Sequence, residues 1–481
     1  RVVLGVVGRE IVAAFAWRVS DEPFMEEVDW MDDLKLRLSY GEVGNDGISA
    51  DLWSQTWSSS NTTSVIGGKT FGSYDLASSM ANPDLKWETT ITRNLGVDFG
   101  FLKGRLNGSL DLYWNSTKDL LMNVTIPGIT GFTSTYKNVG QTSNKGVELS
   151  LNGTVIETRD WGLTVGGNIN FNRNNIDELA ENVSTLYGSS WFHAGNPGND
   201  YGFEVGKPVG LVRGLTYDGF YTADDFTYAD GIYTLKPGVP DLSSSITGVF
   251  HGAEGKTPKG QNAYPGMAKF VDTDGSGAVD DKDYTVIGDM NPLFTGGFNI
   301  NANYKNWDLG LYFNYSVGNE IYNISKLVSL NGYKETGVYE NHLALLKDSY
   351  KIYDIQNGQL VRLETPEQLN AANANASLPL FYNENGIVST LGIEDGSYLR
   401  LNTMTLGYTL PSASKFAKAL SISSLRVYAT VYNVFTLTKY SGLDPEVSTN
   451  NQMNANYPTP GIDYGAYPRA RSFVLGLNLG F

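Results

Sequence analysis

The feature that most constrains the fold is a strict alternation of apolar and polar residues over unusually long runs. Successive side chains of a β-strand point to opposite faces, so each run predicts a strand with one apolar and one polar face. Antiparallel sandwiches show the same alternation, so it does not by itself select a membrane protein. The clearest runs are Leu34–Gly41, Leu95–Phe101, Leu106–Trp114, Val147–Val155, Trp161–Phe171, Phe294–Tyr304, Trp307–Tyr315 and Phe473–Phe481.

The length of these runs and the chemistry of their two faces favour a membrane barrel. The longer runs last about 9–11 residues, enough to cross a bilayer as a tilted strand, whereas globular strands average about 5–6. The polar faces consist of Gly, Asn, Ser, Thr, Asp and Arg, which suits a water-filled lumen. Aromatic residues near the run ends resemble the girdles of outer-membrane barrels: Trp87, Phe101, Trp114, Trp161, Tyr304, Trp307 and Tyr315. We therefore predict an all-β, transmembrane antiparallel β-barrel.

The connections between the runs are asymmetric. Three turns are very short, and three connections are long and polar, as expected for periplasmic turns and long extracellular loops. The short turns are Leu102–Arg105, Glu157–Asp160 and Lys305–Asn306, and the long connections are Gly44–Pro83, 174–267 and 318–395. Helix is scarce, and we expect only short helices over Val338–Tyr350 and Ser412–Leu420.

Composition excludes several classes of protein. The chain has no cysteine and three histidines, which excludes a disulfide framework and leaves little room for a histidine metal centre. Its formal net charge of −16 argues against a nucleic-acid partner. We find no catalytic constellation, so we predict that the protein is not an enzyme.

The last strand carries a terminal signal. Alternating apolar residues end on a final phenylalanine, a pattern that resembles the assembly signal of bacterial outer-membrane barrels. It predicts outer-membrane lipid and the barrel assembly machinery as partners. The residues are Phe473, Leu475, Leu477, Leu479 and Phe481.

A set of short motifs, in this order, resembles the SusC/RagA family of TonB-dependent outer-membrane transporters. The motifs are Ala16–Phe24, Leu34–Gly41, Asn82–Thr90, Asn144–Leu149, Gly396–Asn402, Asn433–Thr436, Asp444–Glu446 and Tyr467–Phe473. The resemblance implies a 22-stranded barrel with a plug in its lumen. Our hairpin count of about 11–13 strands then makes residues 16–481 the C-terminal portion of the barrel, with the plug domain expected upstream. Residues 1–15 are atypical for the family, and a truncation or gene-model artefact would explain this mismatch.

The resemblance also implies a function. Family members in Bacteroidetes import oligosaccharides or peptides with a SusD-like surface lipoprotein, and TonB acts through an N-terminal segment. The nearest alternative is a passive outer-membrane porin. A secreted β-rich glycan-binding or adhesin protein, and an outer-membrane enzyme, fit the sequence less well.

One loop matches the spacing of an EF-hand-type calcium site. Oxygen ligands fall at positions 1, 3, 5, 9 and 12, a glycine is at position 6, and position 7 offers a carbonyl. Position 12 is Asp rather than Glu, and an acidic turn without an ion is the alternative. We predict a structural Ca²⁺ on an extracellular loop. The ligands are Asp272, Asp274, Ser276, Ala278, Asp280 and Asp283.

Aromatic residues in the long loops are candidates for substrate contact, by stacking on sugar rings, or for packing against a lipoprotein. The alternative for any single one is ordinary loop packing. The preferred candidates are Trp53, Trp57, Trp191 and Tyr201, and Tyr187, Phe192, Tyr221 and Tyr233 belong to the same group.

Overall fold

A twelve-stranded antiparallel sheet forms the body of the protein. The computed structural model describes residues 2–7, 10–45, 52–180, 183–188, 200–247, 251–330, 342–381, 387–411, 414, 422–447 and 458–480. Each wall strand pairs with the next one along the chain, which makes the sheet a simple meander. The strands are β1 (Val2–Val7), β2 (Glu10–Arg18), β3 (Met31–Asn45), β4 (Glu88–Phe101), β5 (Leu106–Lys118), β6 (Gln141–Glu157), β7 (Trp161–Glu178), β8 (Phe294–Tyr304), β9 (Trp307–Val317), β10 (Tyr398–Leu410), β11 (Ser424–Thr438) and β12 (Ser472–Gly480). The count agrees with the predicted number of strands.

Cross-strand register places the apolar residues on one face. Leu38 pairs with Leu95, Leu95 with Leu112, Leu112 with Val147, and Val147 with Phe171. These side chains form one continuous apolar row, as expected where the pairing follows the two-residue period. Asn, Asp, Gly and Thr occupy the other face of the same strands. The predicted division into an outward apolar face and a polar lumen face is confirmed.

The two ends of the sheet differ as predicted. At one end the strands are joined by the short turns, and aromatic pairs lie next to them: Trp161 with Tyr304 at 4.2 Å and Trp307 with Tyr408 at 4.9 Å between ring centroids. At the other end, long connections fold into shorter elements. Their strands are Trp57–Ile66, Lys69–Leu76, Ser79–Met80, Leu121–Thr125, Ser134–Asn138, Thr185–Gly188, Tyr201–Glu204, Leu211–Gly214, Tyr217–Phe220, Phe226–Ala229, Ile232–Leu235, Asp241–Leu242, Ala268–Phe270, Ala278–Val279, Thr285–Asp289, Glu320–Asn323, Tyr353–Gln356, Gln359–Arg362, Ile393–Asp395 and Ile462–Asp463.

Helices are short throughout the described residues. The α-helices are Ser244–Thr247, Ile324–Leu330 and Pro366–Ala372, and the 3₁₀ turns are Val19–Asp21, Pro23–Met25, Gly128–Thr130, Ala223–Asp225, His251–Ala253, Asp281–Asp283, Ala344–Asp348 and Thr390–Gly392. Within these residues, no helix has both the length and the apolar character needed to cross a membrane.

One detail differs from the sequence expectations. The described part of the helix expected over Val338–Tyr350 contains only the 3₁₀ turn Ala344–Asp348, and residues 338–341 lie outside the described residues. Most of Ser412–Leu420 also lies outside them. The atypical N-terminal stretch contributes to β1 and β2, and β2 runs without interruption from Glu10 through Ala16 to Arg18.

The tightly packed core lies in the long loops rather than in the wall. Fully buried aromatic and aliphatic residues from loop segments between residues 201 and 462 form one cluster, whose members include Tyr201, Tyr221, Tyr233, Tyr264, Tyr322, Leu242, Ile324 and Ile462. The wall itself has one face open to lipid and the other to the lumen. The loops therefore form a folded unit above the barrel wall.

Candidate functional site

The predicted calcium loop brings three of its carboxylates together. Carboxylate oxygens of Asp272, Asp274 and Asp283 lie within 4.8 Å of one another. Asp272 accepts hydrogen bonds from the backbone N–H groups of Gly275 and Gly277, at 2.9 and 2.8 Å. These bonds wrap the chain around the Asp272 carboxylate. The cluster therefore has the hard oxygen donors that Ca²⁺ prefers.

Asp283 is the buried member of the cluster. It accepts hydrogen bonds from the backbone N–H groups of Thr273 and Asp280, at 2.6 and 2.8 Å. Burial works to raise the pKa of Asp283, but hydrogen bonds from Asp280, Thr273 and Asp274 outweigh it and lower the pKa below its ordinary value. The carboxylate is thus held ionised at neutral pH.

The other three predicted ligands have different partners. The Ser276 hydroxyl donates to the Ala278 carbonyl at 2.9 Å, so these two oxygens contact each other. Asp280 accepts from the backbone N–H of Lys282 at 2.8 Å, and its carboxylate lies 3.9 Å from the Lys282 ammonium. The carboxylate oxygens of Asp272, Asp274 and Asp283 are thus the predicted ligand atoms that lie together.

The predicted aromatic contact residues divide into exposed and buried groups. Trp53 and Trp57 are both 62% exposed. Tyr201 has an exposure of 0%, and its hydroxyl donates to the carbonyl of Pro460 at 2.5 Å. Tyr201 thus packs in the loop core with no ring face open to a substrate, which contradicts its prediction as a substrate-contact residue. Trp191 lies outside the described residues.

Tyr221 and Tyr233 are buried in the same way. Their hydroxyls donate to the carbonyls of Pro240 and Glu364, at 2.6 and 2.9 Å. Tyr187 is half-exposed, and the Arg213 guanidinium lies 4.1 Å from its ring centroid. Of the described candidate rings, Tyr201, Tyr221 and Tyr233 are therefore buried in the loop core, and Trp53, Trp57 and Tyr187 are open to solvent.

The lumen face carries ion pairs that the sequence patterns did not identify. Arg37 on β3 reaches Asp98 on β4 at 2.8 Å and Asp111 on β5 at 2.9 Å. Arg426 on β11 donates to Asp308 on β9 across the intervening strand, with Nε 3.0 Å from Oδ1. The partners are 61 to 118 residues apart in sequence, so only a correct strand register could have paired them.

A second ionic cluster ties a loop to the wall. Arg400 on β10 donates to Asp444, and its Nη1 lies 3.5 Å from a carboxylate oxygen of Glu446. Glu446 also pairs with Arg469 at 3.0 Å. Three of the motifs quoted above, Gly396–Asn402, Asp444–Glu446 and Tyr467–Phe473, thus meet at one place. We call Arg400, Asp444, Glu446 and Arg469 the loop latch.

A cavity of about 510 Å³ lies beside the latch. Wall residues Asn314, Ser316 and Tyr398 line it together with loop residues Glu446 and Pro460. The mixture of amide, hydroxyl, carboxylate and aromatic groups suits a polar organic solute. No titratable pair within it has a nucleophile-and-base arrangement in the described residues.

The fold and the alternation of its faces define an outer-membrane barrel wall. Residues 11–324 match the model of the family described as TonB dependent receptor-like, beta-barrel. That match covers more than half of the chain, which therefore belongs to this family of transporters and receptors. Its members are outer-membrane proteins, so the predicted localisation is confirmed.

Curated relatives include two TonB-dependent receptors. The chain is 29% identical over 477 residues to TonB-dependent receptor P3 of Formosa agariphila, a match that covers 97% of this chain and 41% of the relative. It is 28% identical to TonB-dependent receptor SusC of Bacteroides thetaiotaomicron, covering 97% of this chain and 39% of the relative. The chain thus spans about two fifths of the length of these relatives.

Among solved structures, the chain is similar to the RagAB peptide transporter. That match has 25% identity and a TM-score of 0.68, and it covers 98% of this chain and 43% of the other. The RagAB peptide importer in its open-open state matches with the same identity and TM-score. The resemblance to the SusC/RagA family is confirmed by these relatives together.

Proposed function

We propose that this chain is the C-terminal part of the barrel wall of a TonB-dependent importer of oligosaccharides or peptides. The observation that carries the proposal is the twelve-stranded meander with short turns at one end and a folded loop unit at the other. Relatives that bear the names SusC and RagAB peptide transporter support it. In this proposal the strands and plug that complete the barrel belong to the rest of the protein.

The proposed partners are a SusD-like surface lipoprotein and TonB. The lipoprotein would cover the loop end, where the indole rings of Trp53 and Trp57 are exposed, and TonB would act on the N-terminal part of the whole protein. Trp53 and Trp57 contact either the lipoprotein or the substrate in this arrangement. Co-purification of the lipoprotein with wild-type protein but not with Trp53→Ala and Trp57→Ala would favour the first role.

Uptake measurements separate active import from passive diffusion. Cells that carry the intact protein should take up fluorescent oligosaccharides or fluorescent peptides of one class, and uptake should stop when the proton gradient is collapsed. A passive porin would continue to admit the same probes. Uptake that survives both collapse of the gradient and removal of TonB would overturn the proposal.

We also propose that the Asp272–Asp283 loop binds a structural Ca²⁺. The convergence of Asp272, Asp274 and Asp283 supports it, and the bound ion would supply charge compensation for three carboxylates. Calorimetric titration with CaCl₂ should show a site in the intact protein that Asp272→Ala and Asp274→Ala together abolish. The neighbouring exposed Asp281→Ala is the matched control. Equal calcium binding by all three proteins would exclude the site.

A further inference from the structure

A row of basic residues crosses the outward face of four neighbouring strands. Arg93 is on β4, Lys145 on β6 and Arg173 on β7, with Trp114 of β5 between the first two. Lys145 pairs directly with both Trp114 and Arg173. Arg93 donates to the Trp114 carbonyl at 3.4 Å, which places it on the other side of Trp114.

The row lies at the loop-side boundary of the apolar face. Two positions from the row, away from the long loops and on the same face of the sheet, are Leu95, Leu112, Val147 and Phe171. Side chains at this spacing point in the same direction. On the other side of the row, the strands lead into the long loops. The three cations therefore lie where the lipid-facing band ends at the extracellular side.

The cations of this row lack acidic partners among the described residues. No described carboxylate forms an ion pair with Arg93, Lys145 or Arg173. Lys145 and Arg173 are exposed. Arg173 is held in place by its Nη1, which donates to the carbonyls of Asn172 and Leu293 at 2.7 and 3.1 Å. Three cations without an ion pair to a described carboxylate therefore lie in one row.

Acidic groups lie on the loop side of the row. Asp177 and Asp289 line, with Lys145 and Arg173, a cleft of about 430 Å³. Asp177 already accepts hydrogen bonds from Ser143 and Asn175, at 2.8 and 2.7 Å, and Asp289 accepts from Asn291. These carboxylates disfavour an anion at the loop end of the cleft. An anion is therefore favoured at the opposite end, where Lys145 and Arg173 lie beside the apolar band.

We propose that Arg93, Lys145 and Arg173 bind the phosphate groups of an anionic lipid in the outer leaflet. Guanidinium groups match phosphate oxygens in bidentate geometry, and lysine contributes a point charge. The apolar row directly below the cations would contact the acyl chains of the same molecule. Trp114 lies between the cations at the depth where indole rings anchor membrane proteins. The proposal rests on the outer-membrane location and not on the proposed transport activity.

Binding of phosphorylated lipid A to the intact, detergent-solubilised protein tests this site. We expect Lys145→Gln and Arg173→Gln each to weaken binding about fivefold, the ratio that corresponds to ~1 kcal/mol per basic residue at an anionic surface. Lys103→Gln, an exposed lysine in the turn at the opposite end of the wall, should leave binding unchanged. Lys145→Arg should retain it, which separates loss of charge from loss of fold.

Two further probes identify the source of the phosphate. Dephosphorylated lipid A should bind wild-type and Lys145→Gln protein equally and more weakly than the phosphorylated form. Millimolar inorganic phosphate should not compete. Equal binding of both lipids to the wild-type protein, an equal loss in Lys103→Gln, or effective competition by inorganic phosphate would each overturn the proposal, whether or not the protein imports a solute.

Discussion

Replacing Asp444 with alanine should release the loop after β11 from the barrel wall. Arg400 is only 2% exposed, and Asp444 is its closest acidic partner. Asp444 also accepts from the backbone N–H groups of Glu446 and Arg469, at 2.9 and 3.4 Å. The substitution therefore removes one charge of a buried pair and two anchors of the loop backbone at once.

The expected cost follows from the burial of the charge that remains. Removing one partner of a buried ion pair typically costs ~3–5 kcal/mol, because the other charge stays desolvated without compensation. Glu446 lies 3.5 Å from Arg400 and is partly exposed, so it compensates in part and favours the lower end of that range. When the loop after β11 opens by breaking the latch, a loss of ~3 kcal/mol in latch stability makes that local opening roughly 10²-fold more frequent.

Hydrogen exchange measured by mass spectrometry on the intact protein is the appropriate assay. Peptides from residues 439–447 and 458–471 should exchange faster in Asp444→Ala, while peptides from β5 and β6 should not change. Asp218→Ala, at an exposed position of the short strand Tyr217–Phe220, is the matched control. The double variant Arg400→Met with Asp444→Leu should recover much of the protection, since an apolar pair replaces the buried charges. Unchanged exchange in Asp444→Ala would refute the latch.

Three further predictions concern the latch, the wall and the loop core. Burial works to raise the pKa of Asp444, but the Glu446 backbone N–H and the Arg400 guanidinium outweigh it and lower the pKa. The carboxylate therefore stabilises the latch above about pH 4, the pKa of an unfolded Asp. Acidification through the folded pKa should speed hydrogen exchange of the 439–447 segment in wild type and cause no further increase in Asp444→Asn. Gly146→Ala should reduce the yield of heat-resistant folded barrel on gels by destabilising the wall ~1–3 kcal/mol, because its Cβ would overlap the Phe171 carbonyl oxygen. Gly153→Ala, whose Cβ would have its nearest neighbour at 3.8 Å, should fold normally. Tyr201→Phe should destabilise the loop unit by ~1–3 kcal/mol, because the Pro460 carbonyl loses its buried donor, and limited proteolysis should cleave the loops sooner than in the half-exposed control Tyr187→Phe.

The wall could be predicted from the sequence because its geometry is local. A period of two assigns every residue to a face, so Val147 and Phe171 could be placed outward and Asn152 and Asn168 inward before any pairing was known. The run beginning at Trp161 became β7, which extends to Glu178 and is longer than the alternation alone indicated. The short turns at Leu102–Arg105 and Lys305–Asn306 then determined the antiparallel order.

The loops could not be predicted in this way, because no short period relates their residues to a common face. Tyr201 and Trp53 are both aromatic residues in long loops, yet Tyr201 is buried and Trp53 is largely exposed. The burial of Tyr201 depends on Pro460, which lies 259 residues away. The loop latch could not be predicted for the same reason, because Arg400 and Asp444 are brought together only when β10, β11 and the following loop have formed. The calcium loop could be proposed from the sequence because its candidate ligands lie within twelve consecutive residues, and the structure places the carboxylates of Asp272, Asp274 and Asp283 close together.

The exposure of the outward residues of β12 shows that a wall strand needs a neighbouring strand on each side. Leu475 is 86% exposed, whereas Leu112 and Val147, which also face outward, are 38% and 37% exposed. Strands on both sides cover part of Leu112 and Val147, but in the described residues β12 pairs only with β11, and β1 only with β2. Backbone groups left unpaired in hydrocarbon cost several kcal/mol each, so neither edge can remain open in a bilayer. We therefore predict that a further strand covers β12 in the whole protein and lowers the exposure of Leu475 toward that of Leu112. Disulfide trapping between Leu475→Cys and single cysteines on that strand would detect the contact, and failure to form any such disulfide would contradict the prediction.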